Sequence, residues 1–161
     1  NFYVPAGGDV PDPEENEKFA HKLQFLDEMA EWFSARKKKS SRAVLVGDLN
    51  VAPRECDVWS HRQLLKVVSH TPMEVEALDK VYASHDWVDA IRHFVPEDEK
   101  LYSWWSYRAR DWQAADRGRR LDHVWVTPAL KDTLKSAVVL KPVRGWEQPS
   151  DHAPVIVELD F

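Results

Sequence analysis

The 161-residue sequence predicts a layered α/β domain with a mixed sheet. Apolar residues recur at helical spacing between Phe19 and Phe33. "AVLV", residues 43–46, is a continuous apolar run of strand length. From Ala153 the chain alternates, with Ala153, Val155, Val157, Leu159 and Phe161 on one face and Glu158 and Asp160 on the other. Strand and helix signals mix throughout, without a repeated βαβ unit, internal repeat, linker or low-complexity tract.

Phe2–Val4 reads as a short strand, and "PAGGDVP" as a loop by its Gly and Pro content. Asp12 is the expected N-cap of a first helix, with Pro13 at its first position and Glu15 completing a capping box. Phe19, Leu23, Leu26, Ala30 and Phe33 form its inner face, and Arg36–Lys39 end it where cations suit the dipole. Ala43–Val46 is expected to be a strand buried on both faces. Thr71, Pro72, Met73 and Glu74 open another helix, with Val75, Leu78 and Tyr82 facing inward. A short helix is expected over "DWVDAIRHF". "RRLDHVWV" reads as a strand, "PALKDTL" as a short helix and "SAVVLKPV" as a strand. Pro149 and Pro154 stiffen the approach to the last strand, placing Asp151 and His152 on a rigid corner.

This length suffices for one domain with a hydrophobic core. Hydrophobic content of 43% and charged content of 30% are ordinary for a soluble globular chain, whereas eight Trp residues are not. Cys56 alone excludes an internal disulfide and fits a reducing compartment, so a cytoplasmic location is expected. No apolar run approaches membrane-spanning length and no signal-peptide pattern appears. The net charge of −5 does not by itself point to nucleic acid, although a local patch can be positive.

Three strand ends carry polar groups. Asp48 and Asn50, spaced i and i+2, lie just past Ala43–Val46 and can point the same way. Asp122 is on the opposite face from Leu121, His123 and Trp125, and Asp151 and His152 precede the final strand. Each taken singly reads as a turn residue. Converging at the ends of α/β strands, they suit phosphodiester hydrolysis, because carboxylates and an amide oxygen are hard ligands fitting Mg²⁺ or Mn²⁺. No HExxH or CxxC spacing supports zinc, and no GxSxG elbow supports a triad from Ser150, Asp151 and His152. "SWWSYRARDWQAADRGRR" holds Arg108, Arg110, Arg117, Arg119 and Arg120 against Asp111 and Asp116, a local charge of five minus two, +3. Trp104, Trp105, Tyr107 and Trp112 interleave with them, the footprint of a nucleic-acid surface, with some of these rings expected in the core.

"GDLNVAP", "WWSYR", "RGRRLDHVW" and "PSDHAPV" resemble, in that order, the motifs of exonuclease III-type AP endonucleases. "NFYVPAGG", "SHTPMEVEALDKV" and "DWVDAIRHFVPED" extend the likeness over residues 1–161. The resemblance implies a portion of a four-layer α/β sandwich, with mixed sheets flanked by helices. It implies that Asp48 handles the attacking water, that Asn50 orients water and phosphate, and that His152, oriented by Asp122, stabilises transition-state charge. Tyr3 would hydrogen-bond near the phosphate. The metal set implied is Asp48, Asn50, Asp151 and His152, holding Mg²⁺ with Mn²⁺ as the alternative. Trp104 and Leu121 would wall a pocket for a flipped abasic sugar, and Arg108 would touch the DNA backbone.

The implied substrate is double-stranded DNA with abasic sites or 3′ ends, with no membrane partner. The family's upstream half-sheet, with its Asn and metal-binding Glu, has no counterpart in residues 1–161. The sequence is therefore expected to be a single C-terminal portion of an endonuclease/exonuclease/phosphatase domain. Its inner sheet face would meet the missing N-terminal half, a partner or a second copy. Two other readings stand beside the repair nuclease. One is a same-fold phosphodiesterase or phosphatase of the sphingomyelinase or inositol-phosphatase type, against which the aromatic-basic stretch argues. The other is a non-catalytic nucleic-acid-binding module.

Overall fold

The computed structural model describes residues 1–38 and 40–160. Helix α1 spans Glu17–Ser34. Its N-cap is Asn16, whose side chain accepts from Lys18 N at 3.1 Å, and not Asp12 as the capping pattern suggested. Asp12 instead closes a tight turn, accepting from Glu14 N. The Asn16 amide donates to Gly7 O and Val10 O, so one side chain anchors the preceding loop and starts the helix. The buried stripe is Phe19, Lys22, Leu26, Met29 and Phe33. Leu23 and Ala30 sit at its margins. Arg36–Lys38 follow the helix end, and Lys39 lies outside the described residues.

Strand β1 (Val44–Asp48) pairs antiparallel with β5 (Asp122–Val126), which also pairs with β2 (Val88–Asp89). Phe2 N donates to Val46 O and Val4 N to Asp48 O, each at 3.0 Å, so Phe2–Val4 runs parallel to β1. That contact gives an otherwise antiparallel sheet its mixed character. A side chain at Gly47 (φ +146) would strike the Phe2 carbonyl, so this close approach requires glycine.

The sheet's two faces differ. Leu45 and Trp125 point toward α1 and α3 (Pro72–Ser84), joining Leu26, Phe33, Leu78 and Val81 in the main core. Val124 and Val126 face the other way, onto the sheet of β6 (Leu134–Val139) and β7 (Val155–Leu159). That second sheet covers β5 and not β1, so Val44 and Val46 are 41% and 37% exposed. The expectation that residues 43–46 are buried on both faces is therefore corrected.

Helix α3 starts as its sequence dictates: Thr71 and Glu74 cap one another reciprocally around Pro72. "DWVDAIRHF" is not a helix. Its Val88–Asp89 pairs with β5, and Asp89 Oδ1 then accepts from Ile91 N and Arg92 N, turning the chain away. "PALKDTL" forms a 3-10 turn over Pro128–Thr133. β7 alternates as expected, although Phe161 lies outside the described residues. The remaining elements are α2 (His61–Leu64), α4 (Trp112–Ala115), the pair β3 (Trp104–Trp105) and β4 (Gly118–Arg119), and 3-10 turns over Glu55–Asp57 and Lys141–Gly145. No helix among the described residues is long and apolar enough to cross a membrane.

Arg120 corrects the reading of the basic stretch. It is fully buried, bonded to Asp89 and lying 3.4 Å from Asp57, which Arg92 also contacts at 2.6 Å. Arginine suits this place because its forked donors serve two carboxylates at once. Replacing it strands two buried acidic groups around a smaller set of donors. Arg120→Leu is expected to lower stability by about 3–5 kcal/mol, the scale of breaking a buried pair. Exposed Arg108→Ala should shift it by less than about 0.5 kcal/mol, as read from chemical denaturation.

Candidate active site

The β1–β5 register sets Asp48 directly opposite Asp122 at one end of the sheet. Past β1 the chain turns sharply, with Asn50 in the left-handed region (φ 52), which asparagine tolerates better than most residues. Asp48 Oδ1 accepts from Asn50 N at 2.9 Å, and Asn50 Nδ2 donates to Val4 O at 2.8 Å and Asp48 Oδ2 at 3.2 Å. Both amide protons are thereby committed, leaving Asn50 Oδ1 available as an acceptor. Behind the turn, buried Lys22 donates to Asn50 O at 2.8 Å and Ala6 O at 3.3 Å, and pairs with Glu74. Glu74 in turn accepts from Ser69 N and from Thr71. Burial pulls the Lys22 ammonium below its usual range, with Glu74 opposing that fall.

The opposite wall comes from the chain between β3 and β7. Trp105 N donates to Asp151 O and Ala153 N to Ser103 O, fastening the Asp151–His152 corner against β3. Asp122 Oδ2 lies 2.8 Å from His152 Nδ1, and His152 Nε2 is 3.9 Å from Asp48 Oδ2. Burial by itself would lower the His152 pKa. The hydrogen bond and charge of Asp122, with Asp48 and Asp151 nearby, outweigh it and hold the imidazole above its ordinary value. Asp48 is raised, chiefly by burial and further by the charge of Asp122, against the hydrogen bond from Asn50.

A cleft of about 770 Å³ brings together Tyr3, Asp48, Asn50, Trp104, Arg108, Leu121, Asp151 and His152. Asp122 lies beside it, under His152. Tyr3 is 69% exposed at the rim, and Arg108 is also exposed. Trp104 donates through Nε1 to Asp151 Oδ2 at 2.9 Å, and Leu121 is buried beside it. Arg117 stacks over Trp59, and Arg119 over Trp104 while donating to Val68 O and Ser69 Oγ. Of the five arginines, Arg108, Arg117 and Arg119 line the cleft, Arg110 is exposed and Arg120 is in the core. Trp105 is likewise core.

Sequence reasoning missed the groups behind the cleft. Ser103 gave no signal, and Lys22 passed as a polar residue on a helix, although its i+4 spacing to Leu26 on the inner face could have flagged it. Among the described residues, no three His, Cys, Asp or Glu side chains stand close enough to cage a metal. Asp48, Asn50 and Asp151 nevertheless offer hard oxygens along one cleft. Mg²⁺ is commonly held by one or two carboxylates, waters and substrate phosphates, so this donor chemistry fits it without a closed cage.

Residues 2–152 match the family model described as the endonuclease/exonuclease/phosphatase family. The chain belongs to this family. An exodeoxyribonuclease of Bacillus subtilis is 33% identical over 141 residues, covering 86% of this chain and 52% of that protein. An AP endonuclease from Archaeoglobus fulgidus superposes with a TM-score of 0.92 at 30% identity, over 100% of this chain and 60% of that one. A 3′ phosphatase from Neisseria, bound to a product DNA hairpin, superposes at 0.88 with 28% identity, over 100% and 60%. The chain spans about half the length of the curated relatives it matches. Its α/β architecture is that of the AP endonuclease fold.

The His152–Asp122 contact has a pH signature. A raised folded-state pKa means the pair's contribution to stability is fully present below the unfolded histidine value of about 6.5, and is lost as pH rises through the folded value. Asp122→Asn removes the charge that raises it. In an NMR titration, the His152 midpoint should move downward in that variant, and the stability lost between acidic and alkaline pH should shrink.

Proposed function

We propose that this chain carries the C-terminal catalytic wall of a Mg²⁺-dependent DNA-repair nuclease. It would hydrolyse phosphodiesters 5′ to abasic sites, with accompanying 3′→5′ exonuclease action. The observation that supports this most is the arrangement Asp48···His152–Asp122 in a cleft walled by Trp104 and Leu121 and edged by Arg108 and Arg117.

The geometry supports the following roles. Burial raises Asp48 above an ordinary carboxylate, which makes it a better acceptor for the proton of an attacking water. Asn50 Oδ1 lies beside it and orients that water. His152, its pKa raised by Asp122, presents Nε2 to the cleft toward an oxygen that gains charge as phosphorus becomes five-coordinate. Nδ1 is committed to Asp122, and in this reading Nε2 serves the phosphate oxygen, so His152 is read as the electrostatic stabiliser. Asp48, Asn50 and Asp151 would hold the divalent ion, which when bound supplies Lewis-acid stabilisation of phosphate and leaving oxygens. Tyr3 at the rim would hydrogen-bond a phosphate oxygen. Cleavage would leave a 3′-hydroxyl and a 5′ phosphate on the abasic sugar. Trp104 and Leu121 would discriminate a sugar lacking its base by shape, while Arg108 binds backbone of any sequence.

The test is incubation of the full-length protein with a duplex containing one abasic site, with Mg²⁺ and with chelator. Nicking 5′ to the site that stops on chelation is expected; cleavage of inositol or lipid phosphodiesters without nicking would replace the proposal. In that assay His152→Ala should cost about 10²–10³-fold in turnover, the scale of losing one transition-state donor, with duplex affinity little changed. Equal losses in both would remove this role from His152.

Trp104→Ala should damage abasic-site cleavage more than general duplex affinity. Arg108→Ala should weaken binding to all duplexes and flatten its salt dependence by about one phosphate contact. Unaltered abasic cleavage in Trp104→Ala would reassign that ring to the core.

A further inference from the structure

Ser103 has no exposed surface, and it makes five hydrogen bonds to the two segments that carry Asp122 and His152. Its backbone N donates to Arg119 O and its carbonyl accepts from Ala153 N, at 2.9 and 2.7 Å. Its Oγ accepts from Leu121 N at 3.1 Å and from Asp122 N at 3.0 Å. The same Oγ stands 2.6 Å from Asp122 Oδ2, the oxygen that meets His152 Nδ1.

A serine hydroxyl has two acceptor positions and one proton. Here two backbone N–H groups occupy both acceptor positions, so the proton has one remaining direction, toward Asp122 Oδ2. The rotor is therefore fixed by its surroundings. Asp122 Oδ2 is in turn approached by two donors, Ser103 Oγ–H and His152 Nδ1–H, which settles the rotation of the carboxylate. A carboxylate with the His152 bond alone could swing about its Cα–Cβ bond and carry the ring with it. The imidazole of His152 is partly exposed at the cleft, and among the described residues its Nε2 has only the long 3.9 Å approach to Asp48 Oδ2, so the cleft side holds it weakly.

We infer that Ser103 is a positioning residue for the phosphoryl-transfer site, locking Asp122 so that His152 presents Nε2 to the reacting phosphate. The chain of orientation then runs Leu121 N–H and Asp122 N–H to Ser103, Ser103 to Asp122, and Asp122 to His152. This rests on the role proposed for His152, and it adds a third member behind the pair. Ser103 never touches substrate, so its effect belongs to turnover and not to binding.

The experiment is a double-mutant cycle in the full-length protein, with Ser103→Ala, Asp122→Ala and both together. Single-turnover cleavage of an abasic duplex and duplex affinity are measured for each. Ser103→Ala should lower the rate by roughly tenfold or more, the scale for removing a group that orients a histidine's partner, with affinity unchanged. In the Asp122→Ala background the same substitution should cost less than about twofold, because the group it acts through is gone. An equal loss in both backgrounds would overturn the inference, since a merely structural serine costs the same with or without Asp122.

A second readout needs no substrate. In metal-free protein, the His152 Nδ1 proton should appear in the NMR spectrum as a downfield signal slow to exchange with water. It should be broadened or lost in Ser103→Ala, and an unchanged signal would overturn the inference by itself. Failure of the wild-type protein to cut the duplex would instead strike the proposed function, while the NMR arm still decides the role of Ser103.

Discussion

The antiparallel register between β1 and β5 is the constraint from which the site follows. Five residue pairs, from Val44 with Val126 to Asp48 with Asp122, bring two carboxylates to the same end of the sheet. The alternation of side chains then divides the labour of each strand. Leu45 and Trp125 take the helical side, while Asp48 and Asp122 share the side of Val124 and Val126. A slip of one residue would send Asp122 into the helical core and bring His123 to the cleft. Burying Trp125 and Leu45 against α1 and α3 therefore fixes the position of the chemistry along with the fold.

Charge buried behind the cleft holds its loops in place. Lys22 and Glu74 have no exposed side-chain surface, and between them they bind the carbonyls of Ala6 and Asn50 and the amides of Ser69 and Thr71. Those four residues lie on three segments, and Ala6, Asn50 and Ser69 line the cleft. The Arg120 cluster does the same work on the far side of β5, joining Asp57 and Asp89. Such pairs add little net stability over apolar replacements, because desolvation offsets most of their attraction. What they supply here is geometry, since a fully bonded ion pair tolerates few alternative arrangements of the loops attached to it.

The cleft itself joins opposite signs. Asp48, Asp122 and Asp151 make an acidic floor, where a cation or a charged imidazole is favoured, and Arg108, Arg117 and Arg119 form a basic edge. A phosphate group, itself anionic, is drawn to the edge and needs a positive group to approach the floor. Asp122 raises the pKa of His152 and so favours such a charge there. The net charge of −5 conceals this division, because it averages a surface whose relevant part is local.

Local patterns in the sequence determined much of this. The capping pair Thr71 and Glu74, the alternation of β7, and the polar strand ends Asp48, Asn50, Asp122, Asp151 and His152 were legible because each depends on near neighbours along the chain. Their ordered motifs also identified the family. Tertiary structure decided the rest. Asn16 displaced Asp12 as the cap because its amide also reaches Gly7 and Val10. "DWVDAIRHF" gave up its helix because Val88–Asp89 found the open edge of β5. Arg120 left the presumed DNA surface because Asp57 and Asp89, distant in sequence, converge on it in the core. Ser103 carried no sequence signal for the same reason, and the position of Lys22 on the inner helix face did not reveal its partners. A polar side chain's role depends on which partners the fold brings within hydrogen-bonding distance, and those partners lie up to 52 residues away for Lys22 and 19 for Ser103.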